Sequence, residues 1–254
     1  MGRIIAISNQ KGGVGKTTTS VNLSACVAAE GKRTLIVDID PQGNATSGLG
    51  MADHQGLNIY DVLIDGADAA QAAVDTGFSG LMLIPAGIEL AGAEIELVGA
   101  EGREELLKKA LEPLKAEYDY IFIDCPPSLG LLTLNALTAA DGVLVPIQCE
   151  YYALEGVGQL MNTIKLVRRK LNPGLALEGI ALTMYDARTN LGAQVVHEVR
   201  SHFPEEAFET LIPRNVRLSE APSYGVPIHL YDSRCSGAQA YRELAKELTK
   251  RNGG

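Results

Sequence analysis

"RIIAISNQKGGVGKTTTS", Arg3 to Ser20, decides the fold. A β-branched run, RIIAIS, feeds a glycine-rich turn, and TTTSVNLSACVAAEG then reads as a helix closed by Gly31. The next apolar run, RTLIVDID (Arg33 to Asp40), is a second strand. Strand, glycine turn, helix and strand make a βαβ unit, whose parallel pairing puts the turn at the carboxyl edge of a sheet. Further apolar strands follow at LMLIPAG, YIFIDCPPS, GVLVPIQ and LEGIALTMYD, separated by helical patterns such as REELLKKALEPLK and LEGVGQLMNTIKLVRRKL. Runs this uniformly apolar need cover on both faces. They predict an α/β fold: a doubly wound, mostly parallel twisted sheet flanked by helices on both faces. No fixed-period repeat or low-complexity linker interrupts the alternation, so one domain is expected over residues 1–254.

A glycine turn between a strand and a helix is the setting of a phosphate-binding P-loop, G-x-x-x-x-G-K-S/T, in which backbone N–H groups and the positive helix end cradle phosphate. Gly15, Lys16 and Thr17 fit the end of that pattern, but Gln10 stands at the first glycine position. Lys16 is expected to bridge the β and γ phosphates of a nucleotide and the Thr17 hydroxyl to ligate Mg²⁺. Backbone at Gly12, Gly13, Val14, Gly15 and Thr18 completes the cradle. One ammonium suffices for that grip, which leaves Lys11 to be explained.

Carboxylates at strand ends supply the rest of such a site. Asp38 and Asp40 close the strand LIVDID before a Pro41–Gly43 turn, where a carboxylate can hold Mg²⁺ through water or orient the attacking water. YIFID ends on Asp124, the Walker B position facing the hydrated metal, and the following Cys125–Pro126–Pro127 turn suits a loop that senses the γ-phosphate. No general base with its own activating partner is evident, so slow basal hydrolysis is expected.

The net charge of −9 is unevenly spread: residues 1–150 hold nine Lys and Arg against 20 Asp and Glu, while residues 151–254 hold 13 against 11. The apolar start MGRIIAIS is too short for a signal peptide, and no run approaches the length of a membrane helix. A cytoplasmic protein is expected. Cys26, Cys125, Cys149 and Cys235 lie far apart with no CxxC pair, which argues for inert thiols rather than disulfides or zinc.

KGGVGKT, residues 11–17, resembles the deviant Walker A box, K-G-G-x-x-K-S/T, of the ParA, MinD and nitrogenase iron protein group. In that group the first lysine reaches the partner's nucleotide across a dimer interface, which implies that Lys11 makes dimerisation depend on ATP. Such an ammonium stabilises an interface only when an anion neutralises it. DIDPQGN (Asp38 to Asn44) resembles the ParA family's second box, implying that Asp40 positions the water and Asp38 supports the metal shell.

PIQCEYYALEGVGQL (146–160), TMYDARTNLGAQVV (183–196) and IPRNVRLSEAPSYGVPI (212–228) extend the resemblance to the ParA/Soj family over nearly the whole chain. It implies that Pro213 and Asn215 lie near the adenine and that Glu150, with Lys11 and Gly12, lies near the dimer interface. It also implies an ATP- and Mg²⁺-dependent homodimer that binds double-stranded DNA without sequence preference on the nucleoid and is released when a ParB-type centromere-binding protein stimulates hydrolysis. Arg188 and Arg217 are the first candidates for DNA contact, with Arg214, Lys165, Arg168 and Arg169 alongside; for the run at 168–170, cations at a helix C-terminus are favoured anyway. The loop starts at Lys11, so no helix-turn-helix domain is expected ahead of it.

Rival outputs remain open. A MinD-like membrane cycle needs an amphipathic anchor, but the tail GAQAYRELAKELTKRNGG offers Tyr241, Leu244 and Leu248 without Phe or Trp, so a packed helix and no membrane are expected. An iron-sulfur reductase needs paired cysteines, and Cys125 has no counterpart. A metabolite ligase or kinase, or a relative that positions another cargo, would share the same loop.

Overall fold

The computed structural model describes residues 2–150 and 153–253, the side chains of 153–157 and 159 excepted. Eight strands form one sheet: β1 (Arg3–Ile7), β2 (Thr34–Asp38), β3 (Val74–Asp75), β4 (Leu81–Ile84), β5 (Tyr120–Asp124), β6 (Gly142–Gln148), β7 (Ala176–Tyr185) and β8 (Ala207–Pro213). Their order is β3-β4-β2-β5-β1-β6-β7-β8, parallel except where β3 runs against β4. From β1 the chain builds outward through β2 and β4, returns to insert β5, and then crosses to add β6, β7 and β8 on the other side. That reversal opens a crevice beyond the carboxyl ends of the central strands, where ligands bind in such sheets.

The uniformly apolar strands are buried as their composition demands. All five residues of β2 and of β5 are inside, including Leu35, Ile36, Val37, Ile121, Phe122 and Ile123. Helices cover both faces. One core joins β2 and β5 to the helices Ile59–Ile64 and Leu131–Ala139, and the other packs β1 and β5 against the loop helix Lys16–Ala29 and the terminal helix Ser236–Arg251.

Parallel register places the chemistry. Asp38 of β2 pairs with Asp124 of β5, and Ile7, the last residue of β1, pairs with Asp124 from the other side. Two carboxylates and the mouth of the glycine turn thus converge at one edge.

Three local expectations change. The helix expected over REELLKKALEPLK shortens to Leu106–Leu111 plus a 3₁₀ turn at Pro113–Ala116, because proline lacks the N–H a continuing helix needs. The strand LIVDID stops at Asp38, so Asp40 lies in the turn that follows. β3 and β8 are additional strands at the two edges of the sheet.

Candidate nucleotide site

The glycine turn is fastened at both ends. Asn9, buried behind β1, donates through Nδ2 to the Pro146 carbonyl at 2.8 Å, and its Oδ1 accepts the Lys11 N–H at 3.0 Å. On the far side the buried Val14 carbonyl accepts a 2.8 Å bond from Thr183 Oγ1 of β7. Gly13 (φ 74°) and Gly15 (φ 88°) take left-handed backbone that side chains disfavour. Gly15 starts the loop helix without a side-chain cap, and no acid lies in the first turn, so the positive end of the helix faces the turn with its N–H groups uncapped.

Lys16 is 7% exposed. Its ammonium donates to the Lys11 carbonyl at 3.1 Å, and burial lowers its pKa, an effect that Asp124, Cys125 and Asp40 oppose. An ammonium held this far from water is stabilised by an anion, and a phosphate bound in the adjoining turn would supply one. Lys11 differs: half-buried at the lip of the turn, it has no ion pair among the described residues.

Asp124, wholly buried, accepts from Thr17 Oγ1 at 2.8 Å and from Ser20 Oγ at 2.7 Å. Asp38, equally buried, accepts from the Thr46 N–H and hydroxyl, both at 2.8 Å, and from the Asp40 N–H at 3.1 Å. Burial raises both carboxyl pKa values, and for Asp124 the neighbouring Asp38 adds to the rise. Asp40, 6% exposed, binds the Gln42 N–H at 3.0 Å and holds its own turn.

These oxygens suit magnesium. The Thr17 hydroxyl and the nearby carboxylates are hard donors, and among the described residues no cluster of His, Cys, Asp and Glu could hold a metal without other ligands. Mg²⁺ keeps water and takes substrate phosphate rather than a protein cage, so the residues fit it.

A cavity of about 280 Å³ opens beside Gly15 and Thr18, lined by Met184, Pro213, Arg214, Asn215 and Tyr241 among others. It adjoins the glycine turn at Gly15 and Thr18 and reaches the sheet edge at Pro213. Pro213 ends β8 against Tyr185. Asn215 is also a helix cap: its Oδ1 accepts the Arg217 N–H and its Nδ2 donates to Ser236 Oγ, both at 2.8 Å. Met184 holds a left-handed backbone (φ 52°) at the cavity wall, strain of the kind stored at functional sites.

The candidate DNA ligands are distributed less simply. Arg188 is exposed and paired with Asp186, Arg217 with Glu220 and Asp232, and Arg214 with Glu150, whose Oε1 it approaches to 3.4 Å. Lys165 and Arg169 are exposed on the helix Ala153–Lys170. Arg168 is engaged in structure, donating through Nε to the Leu175 carbonyl. Tyr151 and Tyr152 of the family-like 146–160 segment lie outside the described residues.

Several site residues escape a reading by motif. Ser20 lies one helical turn beyond Lys16 and could have been found from that spacing. Thr46, Asn9 and Thr183 act through tertiary contacts that local sequence does not announce. The cysteines are as expected: Cys26, Cys125 and Cys149 are buried, and burial pushes the Cys26 thiol up to about 12 and Cys149 to about 11. Tyr241, Leu244 and Leu248 of the tail are buried in the terminal helix, and no helix among the described residues is long and apolar enough to cross a membrane. Ile88, Ala91, Ile95 and Val98, spread over the helix Leu90–Glu96 and the turns that flank it, are all exposed, with Ile88 85% accessible.

A family model described as an AAA domain matches residues 2–177. The sporulation initiation inhibitor protein Soj of Bacillus subtilis is 63% identical over 250 residues, 98% of each chain. The chromosome partitioning protein ParA of Myxococcus xanthus is 57% identical, covering 99% of this chain and 89% of that one. Among solved structures, cobyrinic acid a,c-diamide synthase of Mycobacterium smegmatis with bound ADP and magnesium is 41% identical, covers 100% of this chain and 96% of its own, and has a TM-score of 0.87. Loop, carboxylates and relatives agree on ATP and Mg²⁺ as ligands and on ATP hydrolysis as the activity, and the chain belongs to the ParA/Soj family of partitioning ATPases.

Proposed function

We propose that this chain is an ATP-driven DNA-segregation switch working as one domain, cytoplasmic and associated with the nucleoid. Two copies close on two ATP molecules, each Lys11 reaching the other's phosphates, and the closed dimer holds double-stranded DNA through phosphate contacts alone. A ParB-type partner accelerates hydrolysis, which opens the dimer and frees the DNA. The observation that carries this reading is Lys11: an ammonium without an ion pair among the described residues, at the lip of a glycine turn that Lys16 already serves.

Each site residue then has a task. Lys16 and the N–H groups of Gly12, Gly13, Val14, Gly15, Thr17 and Thr18 hold the phosphates, and Pro213 and Asn215 flank the adenine. Magnesium neutralises phosphate charge; Thr17 would hold it directly, with Asp38 and Asp124 facing it partly through water. Asp40 orients the attacking water, and with no general base held by an activating partner the basal turnover stays slow. Glu150 and Gly12 belong to the dimer face, while Arg188, Arg217 and Arg214 lead the DNA surface, with Lys165 and Arg169 flanking it. Arg168 contributes less, because Leu175 occupies its guanidinium.

DNA binding by the purified protein with ATP, with ADP and without nucleotide tests the reading. Asp40→Ala should stay on DNA when ATP is present, Lys16→Ala should never bind it, and Arg188→Glu should dimerise yet stay off DNA. Wild-type binding that ignores the nucleotide would overturn the switch. A ligase acting on a metabolite is a second reading, favoured by the name of the Mycobacterium smegmatis structure. ATP turnover stimulated by a corrinoid acid with an amide donor, and indifferent to DNA plus partner protein, would support it instead.

A further inference from the structure

Arg188 does not present an empty guanidinium. Asp186, just past the end of β7, takes it at two points: Oδ1 accepts from Nε at 2.9 Å and Oδ2 from Nη2 at 2.6 Å. The same Oδ1 accepts the Arg188 backbone N–H at 3.0 Å, and the Asp186 carbonyl accepts from the Thr189 N–H and hydroxyl, so the turn is set before any ligand arrives. The Arg188 side chain is 86% exposed, so the pair is offered to solvent. The hydrogen bonds from the Arg188 side chain and N–H, with a smaller contribution from the Arg214 charge, hold the Asp186 carboxyl well below its ordinary pKa, so it stays charged throughout the physiological range. A phosphate that takes the Nε–Nη2 edge of Arg188 uses the same parallel donors that the carboxylate now fills.

Resting on the DNA-binding reading above, we propose that Asp186 is a built-in competitor for DNA phosphate, which holds the Nε–Nη2 edge of Arg188 and must leave it before a backbone phosphate can take that edge. An exposed ion pair is weak, so the competitor never blocks DNA; it sets how tightly the closed dimer holds on. Its displaced carboxylate also stays beside the bound phosphate and offsets one of the positive charges that would release counterions. A transient grip follows from the loop itself, ahead of any effect of hydrolysis.

Fluorescence anisotropy of labelled double-stranded DNA with the ATP- and Mg²⁺-loaded protein, at several salt concentrations, tests this with Asp186→Asn, Arg188→Ala and the double variant. The Asn amide oxygen can still accept the Arg188 N–H, so the turn survives. Asp186→Asn should bind DNA about threefold more tightly per protomer, with a salt slope steeper by about one. In the Arg188→Ala background the same change should do little. Unchanged or weaker binding by Asp186→Asn, in a protein whose wild type binds DNA and whose Arg188→Ala variant binds less, overturns the competitor while leaving DNA binding intact. An equal gain without Arg188 overturns it too, since general charge would then explain the effect. Wild-type protein that binds no DNA in any nucleotide state sinks the DNA reading and this inference with it.

Discussion

Asp124 receives hydroxyls from Thr17 and Ser20, has Asp38 across from it in the neighbouring strand, and is sealed from water. A carboxyl with its pKa raised by burial and a like charge binds a proton more readily folded than unfolded. Its contribution to stability is therefore lost as pH climbs from the ordinary carboxyl range near 4 through the raised value. In chelator without nucleotide, Asp124→Asn should raise the thermal midpoint at alkaline pH, and the gain should shrink as pH is lowered toward 5; both hydroxyls can rotate to suit the amide. The same variant should lose Mg²⁺-dependent ATP turnover. A midpoint that falls equally at both pH values would contradict the electrostatic account. At this scale the motif residues Lys16, Thr17, Asp38 and Asp124 are legible because chemistry fixes their types. Thr46 and Thr183 are not, since a hydroxyl threonine becomes a site residue only through the residue it meets.

The elements were legible in proportion to their apolar content. β2 and β5 announce themselves, whereas β8, reading AFETLIP, interleaves Glu209 and Thr210 with its apolar positions. The reason lies far along the chain. Glu247 of the terminal helix accepts the Glu209 N–H at 2.8 Å, the Thr210 N–H at 3.1 Å and the Thr210 hydroxyl at 2.9 Å, while Arg251 pairs with it at 2.7 Å. A side chain thus satisfies edge-strand donors that local pattern rules leave unassigned. Burial alone would raise the Glu247 pKa, but these donors and Arg251 bring it below the ordinary value. Its stabilisation is present above about pH 4.3 and lost as pH falls through the folded pKa. Glu247→Gln should cost about 1–3 kcal/mol in urea unfolding at neutral pH and much less in acid. An equal loss at both would assign the effect to packing.

Across the whole molecule, acid is concentrated in the first half of the sequence and base in the second. The fold places Arg214, from the basic later part, at the rim of the cavity beside Gly15 and against Glu150, the last residue of the acidic part. The candidate nucleotide and DNA surfaces are therefore neighbours at the carboxyl edge of one sheet. Partnership is the least legible level, because Lys11 and the exposed apolar side chains acquire partners only from outside the single chain. Sedimentation of the protein with ATP and Mg²⁺, beside Lys11→Ala under the same conditions, tests the central claim most directly. The account predicts dimers for wild type with ATP, protomers with ADP, and protomers for Lys11→Ala in either nucleotide; a Lys11→Ala protein that dimerises with ATP as readily as wild type would contradict it.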